Sequence, residues 1–296
     1  MPSGIIIKGI GGFYYVKTQD GLFECKPRGI FRKSDITPLP GDKVSITVID
    51  ESRKLGNIDE IKPRETFLIR PAVANINQVA VVLAVRSPAP DLVLMDKLLI
   101  TAELKGIDAV ICLNKIDLDT EGVCSIISEE YKKANYRVVE LSSKANKGFD
   151  FLHEVLCGRI TVFAGQSGVG KSTILNRILN SWVMETGDVS RKIERGRHTT
   201  RHAELLELEC GGYVVDTPGF SSFELTDISH DELERYYREF SDFVYKCRFS
   251  HCSHVSEPGC CVKEALASGL ISHGRYERYV QVYNTLKEKY DNIYKK

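Results

Sequence analysis

The segment Gly165-Gln166-Ser167-Gly168-Val169-Gly170-Lys171-Ser172 reads G-x-x-x-x-G-K-S, the pattern of a loop that cradles phosphate. Glycines there let the backbone close around an anion with its N–H groups turned inward. Lys171 would reach the β- and γ-phosphates, and the Ser172 hydroxyl would ligate Mg²⁺. Ser172 and Thr173 also open a helix whose positive end faces the same phosphates. A second motif, Asn114-Lys115-Ile116-Asp117, selects the base. A carboxylate accepts two parallel hydrogen bonds from the N1–H and 2-amino group of guanine, an edge that adenine lacks. Asp117 would do this while Asn114 ties its loop to the phosphate loop and the Lys115 stem covers the ring. The backbone of Ser142-Ser143-Lys144 would meet the guanine carbonyl. A site built around a carboxylate rejects a base that leaves it unpaired, so the motifs predict GTP and GDP rather than adenine nucleotides.

Two further segments complete a triphosphate site. Gly196-Arg197-His198-Thr199-Thr200 lies in a polar, basic stretch from Ser190 to His202. Thr199 or Thr200 would offer a hydroxyl to Mg²⁺ and an N–H to the γ-phosphate, with Thr200 the magnesium candidate. Such a loop would be ordered by GTP and released after hydrolysis. In Asp216-Thr217-Pro218-Gly219, the Asp216 carboxylate would face magnesium and the Gly219 N–H the γ-phosphate. The next position is irregular. Ras-like enzymes place a Gln there to orient the attacking water, but this chain has Phe220, which cannot hydrogen-bond. His198 is the candidate to hold the water instead, and Arg195, Arg197 or Arg201 could neutralise charge from within the chain. The other reading is that these basic side chains contact RNA phosphate and Phe220 packs.

Such residues need strands that end in turns, and the flanking pattern supplies them. Apolar runs at 78–85, 108–113, 136–141 and 159–164 alternate with helical spacing at 91–104, about 123–134 and 173–179. That alternation is the signature of an α/β domain, whose ligands collect at the carboxyl ends of the strands. Strands at 203–208 and 212–215 follow the phosphate loop. Ahead of this domain, residues 5–65 hold five short strands broken by Gly and Asp-Gly, which suits a barrel of the oligonucleotide-binding (OB) type. Tyr14, Tyr15, Phe23, Phe31, Arg28, Arg32 and Lys33 would serve such a barrel on single-stranded nucleic acid. Equally, the aromatics are core and the charges ordinary surface. The predicted division is a barrel over 1–66, a P-loop domain over 67–224 and a mostly helical, zinc-binding domain over 225–296.

Formal net charge is +0, so no global basic field announces nucleic acid and any such contact is local. No apolar run approaches the ~20 residues that cross a bilayer. The apolar run at the N-terminus is too short for a secretory signal. These features predict a cytoplasmic protein with no membrane partner, whose nine cysteines are not structural disulfides.

The order of the motifs is unusual. In ordinary GTPases the phosphate loop comes first and N-K-x-D and the serine-lysine loop come last, whereas here Asn114–Asp117 and Ser142–Lys144 precede Gly165. A domain whose ends lie close together can be joined there and reopened elsewhere, so the chain reads as a circularly permuted GTPase. With the Gly-Arg-His-Thr-Thr segment, the leading barrel and a C-terminal cysteine cluster, it resembles the RsgA family (also called YjeQ or YloQ) along essentially its whole length. The resemblance implies a GTP hydrolase acting late in 30S ribosomal subunit maturation and stimulated by that subunit. In that class of function the barrel and metal module would grip 16S rRNA, and the chain is expected to be a monomer. The competing class is a signalling or trafficking-type GTPase whose flanking domains bind proteins.

Cys247, Cys252, His254 and Cys260 offer three thiolates and one imidazole in one turn-rich loop, enough to fill a tetrahedral Zn²⁺ shell without water. His251 and Cys261 are spare donors that the residues alone do not exclude, and reduced, unliganded cysteine is the other reading. The family resemblance favours the C-x4-C-x-H-x5-C set, on which the first four fall. Cys25, Cys112, Cys124, Cys157 and Cys210 are scattered and read as packing residues. The stretch from Tyr276 to Tyr290 mixes Tyr, Arg and Lys, which fits either rRNA or a solvated amphipathic helix.

Overall fold

The computed structural model describes residues 2–29, 31, 36–69, 71–179, 203–216 and 228–294. Five strands come first: β1 (Ser3–Ile10), β2 (Phe13–Thr18), β3 (Gly21–Pro27), β4 (Lys43–Asp50) and β5 (Leu55–Ile61). A short hairpin of β6 (Phe67–Leu68) and β7 (Val73–Ala74) leads to β8 (Gln78–Ala84), α1 (Leu92–Leu104), β9 (Asp108–Asn114), α2 (Val123–Lys133) and β10 (Arg137–Glu140). Next come α3 (Phe149–Leu156), β11 (Ile160–Ala164), α4 (Lys171–Ile178), β12 (Glu204–Glu207) and β13 (Tyr213–Asp216). Short 3-10 turns at His230–Tyr236, Arg238–Phe240 and Val244–Lys246 precede α5 (Cys261–Ala267) and α6 (His273–Tyr294). Among the described residues no helix is long and apolar enough to cross a membrane.

The chain divides into two compact units. The first comprises Met1–Ala80, Phe149–Ala164 and Lys171–Phe220. Within it, β1 pairs antiparallel with β2 and with β4, β2 with β3, and β4 with β5, while β3 runs parallel to β5. That circuit closes a five-stranded barrel. Alternation aims Ile6, Val16, Phe23, Cys25, Val44, Ile46 and Ile58 inward, and Phe31 packs on them. Phe23 and Phe31 are therefore core, as one of the two readings held, while Tyr14 and Tyr15 stay half-exposed. Arg28 is paired with Asp59 at 2.8 Å. Arg32 and Lys33 lie outside the described residues.

In the same unit, β13 lies parallel to β11 and antiparallel to β12, and β12 in turn pairs with β1 of the barrel. One expectation fails here. Cys157 and Cys210 are not packing residues but form a disulfide, contrary to the reading that no cysteine is so bonded. The turn between β12 and β13 brings Cys210 to the end of α3, with the two Cα atoms 5.4 Å apart, inside the normal range for a bridge. Residues 53 apart in sequence gave no local signal of this meeting.

The second unit comprises Val81–Gly148, Gly165–Gly170 and Ser221–Lys296. Strand β9 runs parallel to β10, and β8 is buried along its whole length, which explains its unbroken apolar run. Helix α1 starts at Asp91, whose Oδ1 accepts from the Leu94 N–H at 2.9 Å. It is apolar nearly all round and buries Met95, Leu98, Leu99 and Ile100. Ile100 joins a core with Leu233, Tyr237, Phe240, Val262, Tyr279 and Val282 from the C-terminal region. Residues 230–240 form a pair of 3-10 turns rather than a continuous α-helix. Tyr237 is extended between them, and its buried ring stacks on Phe240 at 5.2 Å and meets Tyr279 edge-on.

Helix α6 is not a solvated helix at its start. Arg275 binds Asp96 of α1 at 2.5 Å and Glu239 at 2.7 Å, and Arg278 binds Asp96 at 2.6 Å and also Glu130 of α2. Tyr279, Val282 and Tyr283 are buried beside them.

Candidate functional site

The phosphate loop leaves β11 through a position that only glycine can occupy. Gly165 has φ +142, and a Cβ there would stand 2.2 Å from the Val82 carbonyl oxygen of β8. The loop's far end is equally tight: Gly170 has φ +98, and its Cβ would meet Asn114 Nδ2 at 2.4 Å. That approach is made by the base-selecting motif. Strand β9 ends on Asn114, whose Nδ2 donates to the Val169 carbonyl at 2.8 Å. Lys115 turns the chain through the left-handed region, φ +61, and its Nζ donates to the Gly168 carbonyl at 2.8 Å and to the Ser87 carbonyl. The structure thus joins two segments some fifty residues apart.

Residues of the Asp117 and Ser142–Lys144 segments gather at the same strand ends. The Ser142 hydroxyl donates to Asp117 Oδ1 at 2.5 Å and accepts from the Ala145 N–H at 2.9 Å, while the Ile116 N–H donates to the Leu141 carbonyl at 3.2 Å. Asp117 itself is exposed, as are Lys144 and Ser167, and Gln166 is half-buried. Among the described residues, Asn114 Oδ1 and Ser143 Oγ are buried with no hydrogen-bond partner. Buried polar atoms left unsatisfied carry a cost, and a polar ligand lying along this edge removes it.

Lys171 and Ser172 begin α4 directly after the loop, with Thr173 exposed on the same turn. Burial holds the Lys171 ammonium below the ordinary lysine value of 10.5. Strand β13 sets Val215 opposite Val162 of β11, so Asp216 leaves the sheet at the end where β11 finishes in Ala164. Arg195, Arg197, His198, Thr199, Thr200, Arg201, Gly219 and Phe220 lie outside the described residues.

The second constellation is the cysteine loop. Ligand atoms of Cys247, Cys252, His254 and Cys260 all lie within 4.8 Å of one another. His254 Nδ1 is 3.3 Å from Cys260 Sγ and 3.6 Å from Cys247 Sγ, and those two sulfurs are 4.0 Å apart. A tetrahedral ion with metal–sulfur bonds of about 2.3 Å sets its ligands roughly 3.8 Å apart. The spacing fits a metal ion, and three sulfurs with one imidazole make a soft donor set. Cys261 stands aside, its Sγ donating to the Lys246 carbonyl at 3.0 Å, and His251 is exposed.

Three side chains shape this loop, and none was foreseen from the sequence. Glu257 accepts from the Ser253 hydroxyl at 2.6 Å and from the N–H groups of Ser253, Val255 and Ser256. Burial alone would push its carboxyl up, but the Ser253 and backbone donors outweigh it and hold the group at about 2. From α6, the Tyr276 hydroxyl donates to the His254 carbonyl at 2.7 Å and the Tyr279 hydroxyl to the Ser253 carbonyl at 2.8 Å. Tyrosines at that spacing were visible on the helix, but nothing local showed what they would face.

A family model described as RsgA GTPase matches residues 61–226, and one described as RsgA N-terminal domain matches residues 3–56. A curated relative from Ruminiclostridium cellulolyticum, named small ribosomal subunit biogenesis GTPase RsgA, is 61% identical over 290 residues, covering 97% of this chain and 95% of the relative. One of the same name from Alkaliphilus metalliredigens is 51% identical, covering 97% and 99%. The crystal structure of YjeQ from Thermotoga maritima is similar at TM-score 0.83 and 38% identity, covering 96% of this chain and 98% of that one. The structure of YloQ, a circularly permuted GTPase, is similar at TM-score 0.81 and 38% identity, covering 98% and 96%.

Proposed function

The chain belongs to the RsgA family of GTPases, and from that premise we propose that it acts late in maturation of the 30S ribosomal subunit, with GTP hydrolysis stimulated by that subunit. The observation that carries the nucleotide half is the grip of Asn114 and Lys115 on the carbonyls of Val169 and Gly168. A base-reading motif bound to a phosphate loop from upstream in the chain makes one guanine nucleotide site out of two permuted segments. The names of the relatives support the ribosomal half.

In this reading Asp117 takes the N1–H and 2-amino group of guanine, with Ser142 fixing its rotamer. The Ser143 and Lys144 backbone meets the guanine carbonyl. The 165–170 loop with Thr173 wraps the phosphates, and Lys171 neutralises charge on the β- and γ-groups. Ser172 and Thr200 would ligate Mg²⁺, which would offset charge on the triphosphate, with Asp216 and the Gly219 N–H serving its γ end. His198 holds the attacking water in place of the Gln absent at Phe220. Water adds to the γ-phosphorus, the bond to the β–γ bridging oxygen breaks, and GDP and phosphate leave. Cys247, Cys252, His254 and Cys260 would hold one Zn²⁺ in a structural role, since four protein ligands would leave no place for a reacting water.

The three modules, 1–66, 67–224 and 225–296, divide the work, with barrel and zinc module on 16S rRNA and the centre on GTP. The protein acts as a cytoplasmic monomer. Turnover measured with and without purified 30S subunits tests this: a large stimulation is expected. No stimulation and no co-sedimentation would overturn the ribosomal reading in favour of protein partners. For His198→Ala, normal GTP binding with lost stimulated turnover is expected, and full stimulated turnover would remove His198 from the role.

A further inference from the structure

Beyond its approach to the thiols, His254 has a second contact that decides how it can bind a metal. Its ring is fully buried. Nδ1 faces the thiols of Cys260 and Cys247, while Nε2 lies 2.5 Å from Oε2 of Glu234, twenty residues upstream in the His230–Tyr236 turn. A neutral imidazole carries one N–H. If Nδ1 gives its lone pair to a metal, the proton sits on Nε2, and Nε2 then needs an acceptor because the buried ring has no water to turn to. Glu234 is that acceptor.

The geometry points to Glu234 as the positioning carboxylate of the metal site: it fixes His254 in the Nε2–H tautomer, aims Nδ1 at the ion and raises its basicity. The assignment rests on the reading of the cluster as a zinc site. Glu234 is not itself a ligand, because its carboxylate lies on the far side of the ring from the thiols. The arrangement has a structural consequence. His254 holds a left-handed backbone, φ +59, unusual for a residue with a Cβ, so side-chain anchorage on both ring nitrogens adds to the Tyr276 bond on its carbonyl in holding that turn. Glu234 follows Leu233, which is fully buried in the core that contains Ile100 of α1. Metal occupancy therefore ties the loop, through one ring, to the segment that carries the C-terminal region onto the nucleotide domain.

The test uses full-length, zinc-loaded protein. Metal analysis should find one zinc per chain. Competition with a chromophoric chelator should show zinc held about 10–100-fold more weakly in Glu234→Ala, with Glu234→Gln in between because its amide oxygen still accepts from Nε2–H. Nitrogen-15 NMR of labelled histidine in the ¹¹³Cd-loaded wild type should show cadmium coupled to Nδ1 of His254 and a proton on Nε2. This signature would not follow from a packing role. Coupling through Nε2, or unchanged affinity in both variants, overturns the assignment of Glu234 while leaving zinc in place. Absence of zinc from the purified wild type overturns the metal reading itself. Should the alanine variant fail to fold, the wild-type NMR and the glutamine variant still decide.

Discussion

Replacing Arg275 by Met is expected to be among the most destabilising single changes in the C-terminal region. Its guanidinium is 1% exposed and lies between Asp96, 0% exposed, and Glu239, 4% exposed, with the Tyr237 ring 4.6 Å beneath it. Burial works against its charge, but Asp96 and Glu239 outweigh this and hold Arg275 well above the usual arginine range, so pH is no lever here. Methionine fills much of the stem and can lie on the ring, which isolates the loss of charge from the loss of packing. Without the cation, Asp96 keeps Arg278 and the Tyr131 hydroxyl, but Glu239 loses both of its bonds to Arg275 and is left charged and buried. Breaking a buried pair this way costs about 3–5 kcal/mol.

Asp96→Asn breaks the same pair from the other side and should cost less. It leaves Arg275 on Glu239 and Arg278 on Glu130, so no charge is stranded, and the loss is about 1–3 kcal/mol of charge-assisted hydrogen bonding. A second change, Glu239→Leu on the Arg275→Met background, should recover most of the loss because it removes the stranded carboxylate. Global unfolding of a multidomain chain need not be two-state, so the assay is native-state hydrogen exchange at α1 and α6 amides, which reads the local opening free energy. If Arg275→Met and Asp96→Asn cost the same, or Glu239→Leu gives no recovery, the stranded-charge argument is wrong.

Three further outcomes are expected. Gly170→Ala should weaken GDP binding by at least about tenfold, by fluorescence titration, because a Cβ 2.4 Å from Asn114 Nδ2 separates the two loops. Asp117→Asn should weaken GTP and improve xanthosine triphosphate, since an amide can donate to the 2-oxo group that xanthine carries; unchanged base preference would place guanine recognition elsewhere. Lys171 should take up a proton when nucleotide binds. Burial lowers its value in the free protein, so ammonium is lost as pH rises through that lowered value, while a nearby triphosphate restores the charged form. Calorimetry in buffers of different ionisation enthalpy should therefore show, below pH 10.5, a component of proton uptake that is lost in Lys171→Met.

The parts legible in the sequence were those whose chemistry is local. Gly165–Ser172 and Asn114–Asp117 each lie within one turn after a strand, and four metal-ligand candidates fall between Cys247 and Cys260. What escaped was long-range pairing. Glu234 and Arg275 carried no sequence signal, and Arg278 lay in a stretch that mixes Tyr, Arg and Lys, because burial of an ion pair has no periodicity to betray it. Cys157 and Cys210 sat in unrelated stretches, and only the β12–β13 turn brings them together. The hairpin at 67–74 went unread at the start of the P-loop domain, since two-residue strands are too short to show alternation.

Among the described residues, strand β12 has one neighbour in the nucleotide domain, β13, and its other side is covered by β1 of the barrel, with Lys8 opposite Glu204 at 3.0 Å and Lys17 reaching Glu207 at 2.9 Å. The barrel thus serves as a cover for a sheet border that would otherwise offer unpaired amides to any passing chain. A chain trimmed of its first sixty or so residues would carry that raw border, guarded by two repelling glutamates alone, and self-association of the trimmed form is the cost of removing the cover.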